Sequence, residues 1–169
     1  IAYLRAGDVN SALIQAEKLK TGSTQNKALA AKIFEAASQL GEAERIHTQL
    51  AAQGIAESQL YLINSYSSNP NQENLQKALG QFQKLASNRN ADQKTRDFAG
   101  KSAQEIANFL KSSSQSWQNP EQQMQFFERT VETTPLNSIV RPVAVQRLAD
   151  IYRENRDYKR AVGLLDREI

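Results

Sequence analysis

The chain has 169 residues, a hydrophobic fraction of 40% and a formal net charge of +3 at pH 7. It contains no cysteine and one histidine, His47, so the sequence excludes disulfides, thiolate chemistry and metal sites built on cysteines or several histidines. Acidic and basic residues are interleaved, which argues against a dedicated nucleic-acid surface. No apolar run approaches the roughly 20 residues that a membrane-spanning helix requires.

The first hairpin is predicted from apolar spacing and capping residues. Residues 1–5 read as the tail of a helix that Gly7 ends, and Asp8 is expected to cap the next helix, which runs to about Lys20. The stretch 21–24 stops that helix and offers a hydroxyl cap to the next one. Because the first residue is isoleucine and the sequence opens within a helical pattern, we expect the chain to be a piece of a longer protein.

The second and third hairpins are predicted around glycine-containing turns. Gly41 is placed in the turn of the second hairpin, and the third begins after Gly54. The turn of the third hairpin is enlarged by the stretch SSNPNQ, with Asn69 or Asn71 as the cap of the following helix. That helix has a well-defined apolar face that includes Phe82.

The last two hairpins start with a long helix predicted from Asp92 to about Lys111, with Phe98 on its inward face. A polar loop, KSSSQSWQN, follows. The sequence 119–121, Asn-Pro-Glu, is a strong helix start, and Pro135 is expected to terminate that helix. The final hairpin opens near Ser138. Its second helix is predicted to place three residues on one face: Ala161, Leu164 and Leu165.

The spacing between hairpins resembles that of the tetratricopeptide repeat (TPR). Nine residues separate Tyr152 from Ala161 and Tyr3 from Ala12, and a 34-residue period separates Gly7 from Gly41. The enlarged third turn is similar to that of Sel1-like relatives. The resemblance implies an all-α fold, a right-handed α-solenoid of about five helical hairpins in a single domain over 1–169. The approximate hairpins are 1–21, 24–53, 55–88, 91–134 and 138–169.

The TPR resemblance also implies a function, because TPR ligands lie in the concave groove formed by the first helices. We therefore expect a non-enzymatic scaffold that binds another protein or peptide, without cofactor or metal. The resemblance places these residues on the groove: Glu35, Glu57, Asn64, Lys101, Gln104, Asn108, Gln146, Asp150 and Arg153.

Several single residues carry weaker signals. His47 is expected to be a partly exposed residue on a helix surface. Gly80, Gly100 and Gly163 fall inside helical patterns, where tight helix packing or a bend would explain them. Trp117 stands in the polar loop, where it either anchors a partner or folds back onto the nearest hairpin.

Alternatives to the scaffold remain open. The Gln/Asn-rich composition without cysteine is compatible with a bacterial cell-envelope assembly, such as polysaccharide export, secretion or pilus biogenesis, and a periplasmic setting is weighed above a cytoplasmic one. A self-associating structural segment, and hence a homo-oligomer, is a second hypothesis. An RNA-binding helical repeat is a third, but it requires a basic groove, whereas Glu35, Glu57 and Asp150 place acids there.

Overall fold

The computed structural model describes residues 2–69, 71–116 and 119–168. Within these ranges the protein is helical and contains no strand, which confirms the all-α expectation. A single helical turn is followed by nine longer helices. They are α1 Ala2–Arg5, α2 Val9–Leu19, α3 Thr24–Ala36, α4 Leu40–Ala52, α5 Ala56–Ser67, α6 Gln72–Ala86, α7 Gln93–Ser116, α8 Pro120–Thr133, α9 Arg141–Glu154 and α10 Tyr158–Glu168.

Four predicted helix starts are capped, with Ser23 as the cap from the stretch 21–24 and Asn71 rather than Asn69 before α6. The side chains of Asp8, Ser23 and Asn71 each accept a hydrogen bond from the backbone N–H three residues later, at 3.0, 3.3 and 2.9 Å. Asn119 accepts from the N–H groups of Glu121 and Gln122, and Pro120 occupies the first helical position. Each cap satisfies a backbone donor that lacks a partner within the helix, so these four starts are determined locally.

Four turns of the chain share one hydrogen-bonding motif. A residue with φ between +58° and +78° is followed by one residue and then by the next helix. The N–H of that following residue donates to a carbonyl five residues earlier, at 2.8 to 3.1 Å. This is the Schellman pattern of a helix C-terminus. The positive-φ residues are Gly7, Ser38, Gly54 and Arg156, and the accepting carbonyls belong to Tyr3, Phe34, Leu50 and Tyr152.

The structure corrects the prediction for the second turn. Gly41 lies inside the first turn of α4, which begins at Leu40, and Ser38 takes the left-handed conformation. Glycine adopts this conformation at no steric cost, whereas serine and arginine are strained in it. The 34-residue spacing of Gly7 and Gly41 therefore does not mark equivalent turn positions.

Helix α7 is longer than predicted. The serine-rich stretch 111–116, expected as a loop, continues the helix to Ser116. The hydroxyls of Ser113 and Ser114 donate to the carbonyls of Leu110 and Lys111, three residues earlier. These bonds occupy the serine hydroxyls within the helix, so the polar composition does not end it.

Buried apolar residues form two clusters. The N-terminal cluster spans α2–α4 and includes Ala16, Phe34, Ile46 and Leu50. The C-terminal cluster reaches from Ile63 on α5 to Leu164 on α10. Residues of α5 face both, since Tyr61 packs against the first cluster and Leu60 against the second. Helix α5 therefore lies between two separate apolar cores.

Two residues predicted on apolar faces, Phe98 and Leu165, are exposed instead, as is Val9 near the start of the chain. Phe98 is 57% exposed and meets the ring of the buried Phe82 edge-on, with centroids 5.9 Å apart. Each of the three borders a buried stripe, and among the described residues α10 packs closely only against α9.

Tight packing does not explain the glycines inside helices. A Cβ atom added at Gly80 or Gly163 would meet no atom within 4 Å. At Gly100 it would meet the Ala86 Cβ at 4.0 Å, an ordinary van der Waals distance. That hypothesis was wrong, and none of the three glycines is required by a close neighbour.

A largely buried ion pair connects the last three helices. The Arg141 guanidinium donates to both carboxylate oxygens of Glu168, at 2.7 and 2.8 Å, and to the carbonyls of Val131 and Thr134 at the end of α8. The hydrogen bonds from Arg141 lower the pKa of the Glu168 carboxyl, and partial burial opposes them. One side chain thus joins the ends of α8 and α10 to the start of α9. No helix in the described ranges is both long and apolar enough to cross a membrane.

Phe82→Ala should lower the free energy of unfolding by about 3–5 kcal/mol, because it removes a ring that is 1% exposed. Phe98→Ala is the matched control and should cost about 1 kcal/mol or less. Chemical denaturation measures both. Equal losses would mean that Phe82 is not part of the core.

Glu168→Gln should lower the free energy of unfolding at pH 7 by about 1.5–3 kcal/mol, since it removes the charge that pairs with Arg141. A carboxyl whose pKa is lowered by folding stabilises the protein above its unfolded pKa, about 4.3, and loses that contribution as pH falls through the folded value. The difference between wild type and variant should therefore shrink below about pH 4. A difference that does not depend on pH in denaturant titrations would contradict the ion-pair assignment.

Candidate functional site: a cleft between α6 and α9

Consecutive helices pack against one another along the whole chain. Polar side chains also join alternate helices. Lys20 of α2 pairs with Glu42 of α4 at 3.6 Å, and Lys32 of α3 pairs with Glu57 of α5 at 3.0 Å. Glu105 of α7 accepts from the hydroxyl of Ser138, just before α9, at 2.5 Å. Three pairs of alternate helices are therefore in contact: α2 with α4, α3 with α5, and α7 with the segment just before α9.

A cleft of about 390 Å³ opens where the start of α6 meets α7, α8 and α9. Its volume falls in the range typical of binding sites for small groups and side chains. Aromatic and aliphatic residues form the floor, and polar residues form the rim. The floor consists of Phe109, Phe127 and Val143 with the buried Ser113 beside them, and the rim of Asn71, Gln72, Gln146, Arg147 and Asp150.

The floor of the cleft is a packed aromatic group. The Phe109 ring lies 6.2 Å from that of Phe127 and 5.8 Å from that of Phe126. Phe126 and Phe127 meet edge-on at 5.1 Å. Tilted and edge-on pairs at such distances are favourable, and the rings hold each other in place. The floor is therefore preformed, and a partner that fills it need not first order these side chains.

The rim offers both donors and acceptors. The Asp150 carboxylate accepts from Arg153 at 3.2 Å and from the Gln146 side-chain amide at 3.4 Å. Arg147 contacts Glu154 at 3.5 Å. These contacts are long or solvent-exposed, so they cost little to exchange for contacts with a partner. The arrangement can hold one large apolar side chain and hydrogen-bond the chain that carries it.

The structure brings two of the predicted groove residues into this cleft, Gln146 and Asp150. Arg153 lines a neighbouring cavity together with Asp150. Glu57 is paired with Lys32, and Glu35 is hydrogen-bonded to His47. Gln104 donates to Asn108 at 2.9 Å, and Asn64 and Lys101 are exposed. Trp117, predicted as an anchor, lies outside the described residues.

Sequence reasoning missed most of the cleft floor. The position of Phe127 beside a cavity was not foreseen. Phe109 had a readable signal, because it follows the buried Ile106 by three residues on the same helical face. No sequence signal indicated that Val143 and Arg147 would line the cleft, because their position depends on how α9 packs relative to α7.

The prediction for His47 was wrong. The ring is 4% exposed and stacks on Tyr61, with centroids 3.8 Å apart. Its Nε2 lies 2.8 Å from Glu35 Oε1 and its Nδ1 lies 3.0 Å from Ser58 Oγ. A serine, a histidine and a glutamate in contact are the residue types of a hydrolase triad. Ser58 is itself 2% exposed, so its hydroxyl has no open path to a substrate, and the cluster joins α3, α4 and α5 instead.

A second polar cluster lies on the last hairpin. The Tyr152 hydroxyl donates to Glu128 at 2.8 Å, and Arg160 lies over the Tyr152 ring at 4.8 Å from its centroid. Burial and the neighbouring Glu128 raise the pKa of Tyr152 to about 12. The phenol stays protonated near neutral pH and acts as a link between α8 and α9. Among the described residues, no group of three or more histidine, cysteine, aspartate or glutamate side chains could hold a metal ion.

Comparison with known proteins found no match for this chain among family models, curated proteins or solved structures.

Proposed function

We propose that the protein is a TPR-like helical-repeat scaffold that binds a segment of another protein. The cleft between α6 and α9 carries the proposal. It contains two of the predicted groove residues, Gln146 and Asp150, and it combines an apolar floor with exchangeable polar groups, as in sites that anchor a partner's side chain.

The arrangement of the helices supports a repeat architecture. Packing between consecutive helices, the links from α2 to α4, α3 to α5 and α7 to α9, and four turns of one type are all features of stacked helical hairpins. Such arrays present extended concave surfaces, which suit a peptide or helix from a partner.

The chemistry of the cleft supports a protein ligand. A preformed floor of Phe109, Phe127 and Val143 favours a large apolar side chain, while Gln146, Arg147 and Asp150 can hydrogen-bond a polypeptide backbone or its polar neighbours. The mixed charge of the rim favours neither a strongly anionic nor a strongly cationic ligand.

Selection from a displayed random-peptide library tests the proposal. Peptides that bind should share a large apolar residue, and replacing that residue by alanine should abolish binding. Gln146→Arg combined with Asp150→Arg should weaken binding at least about tenfold, or about 1.4 kcal/mol, because two long cationic side chains would crowd the mouth of the cleft.

The matched control is Gln125→Arg combined with Asp166→Arg. It makes the same chemical changes at exposed positions of α8 and α10 that do not line the cleft. Titration calorimetry should show unchanged affinity for this control. Equal weakening in both double variants, or none in the first, would place the binding surface elsewhere.

Self-association is a second candidate function, favoured by exposed apolar residues at the two ends of the helical array. On α10, Tyr158 and Val162 are 63% and 58% exposed, and they form one helical face with Leu165. Near the start of the chain, Tyr3, Val9 and Ile14 are between 42% and 57% exposed. An end-to-end contact between copies would cover both faces and would be heterologous.

Val162→Glu and Ile14→Glu should each abolish such association, because each places a charge in the contact. Light scattering over a range of concentrations measures the mass. If the wild-type protein stays at its monomer mass of 18.9 kDa throughout, self-association is excluded under those conditions.

A further inference from the structure

The two apolar clusters meet at a polar junction. The N-terminal cluster ends on α4 with Ile46 and Leu50, and the C-terminal cluster begins on α5 with Ile63. The His47 cluster, made of Glu35, His47, Ser58 and Tyr61, lies between α3, α4 and α5 at this boundary. The hydrogen bonds of the His47 cluster therefore lie at the boundary between the two apolar clusters.

One hydrogen bond of the His47 ring has a defined direction. A carboxylate only accepts, so Nε2 of His47 donates to Glu35, and in the neutral imidazole Nδ1 accepts from the Ser58 hydroxyl. Ser58 and His47 are 2% and 4% exposed. If α4 and α5 separated, the bond between His47 Nδ1 and Ser58 and the stacking of His47 on Tyr61 would be lost, whereas the bond to Glu35 joins α3 to α4 and would remain.

Other contacts are found near this boundary. Ile55 and Tyr61 pack against the N-terminal cluster, so apolar contact also crosses it. The Lys32–Glu57 pair is more than half exposed, so it adds little. Asn88, at the end of α6, donates to the Gly54 carbonyl at 2.9 Å and to the Gln59 side chain at 2.8 Å. Gln59 is 2% exposed, so this contact fastens the start of α5 to α6. Helix α5 thus belongs with the helices that follow it, and the junction lies between α4 and α5.

We infer that the protein consists of two cooperative units, α2–α4 and α5–α10, and that the His47 cluster couples them. Each unit has its own apolar core, and local opening follows such contiguous units. The cleft lies entirely within the second unit, so separation of the junction releases α2–α4 and leaves the cleft formed.

Native-state hydrogen exchange tests this coupling with three variants. His47→Leu removes both ring nitrogens, Ser58→Ala removes the partner of Nδ1, and Glu35→Gln keeps an acceptor for Nε2 while removing the charge. His47→Leu and Ser58→Ala should lower the protection of α2–α4 amides about 10- to 100-fold. Protection in α6–α9 should stay within about twofold of wild type. Glu35→Gln should have the smallest effect.

Tyr152→Phe is the control, because it removes one hydroxyl hydrogen bond inside the second unit. It should lower protection in α8–α10 and leave α2–α4 unchanged. Equal losses in both units for Ser58→Ala would show a single cooperative core and overturn the inference. No loss in α2–α4 for either Ser58→Ala or His47→Leu would overturn it as well. If His47→Leu does not fold, the Ser58→Ala result decides.

Discussion

The whole structure depends on the fact that each helix carries a narrow apolar stripe that only a neighbouring helix can cover. The pairs α3–α4 and α6–α7 show this. Adjacent helices almost fully bury Phe34 on α3, Ile46 on α4, Phe82 on α6 and Ile106 on α7. Consecutive helices supply these contacts. The same constraint explains the exposed apolar residues on α10, where no further described helix covers Val162.

Polar contacts set the positions of the helices within this apolar framework. Apolar contacts are non-directional and allow helices to slide, whereas a buried hydrogen bond has a defined length and angle. Arg141 donates hydrogen bonds to the ends of α8 and α10, and Asn88 at the end of α6 donates to Gln59 at the start of α5. Ser138, just before α9, donates to Glu105 of α7. The His47 cluster acts in the same way at the one boundary where the two apolar clusters do not merge.

The cleft is a consequence of packing among four helices. The rings of Phe109 and Phe127 pack against each other. Val143 of α9 lies beside them but does not fill the space between the helices, which remains as the cleft. The polar side chains of α9 that lie one turn further along then form the rim. A cleft of this kind needs no special residue, because it arises wherever large rings leave a gap between helices and polar groups stand at its mouth.

The sequence by itself determined the features that depend on near neighbours. The helices, the caps Asp8, Ser23, Asn71 and Asn119, and the buried position of Phe82 were all predictable, because apolar periodicity and capping act within a few residues. Two local predictions were wrong: Gly41 was taken for the turn residue that is in fact Ser38, and the serine-rich end of α7 was taken for a loop.

Only the tertiary structure decided whether residues beyond the centre of each apolar stripe are covered. His47 is buried because Glu35, Ser58 and Tyr61 reach it from two other helices, while Phe98 is exposed because α6 covers only the adjacent stripe. The cleft likewise combines residues from α6 to α9 that are distant in sequence. The physical reason is that burial depends on the distance and angle between helices, and these follow from all the side chains at an interface together.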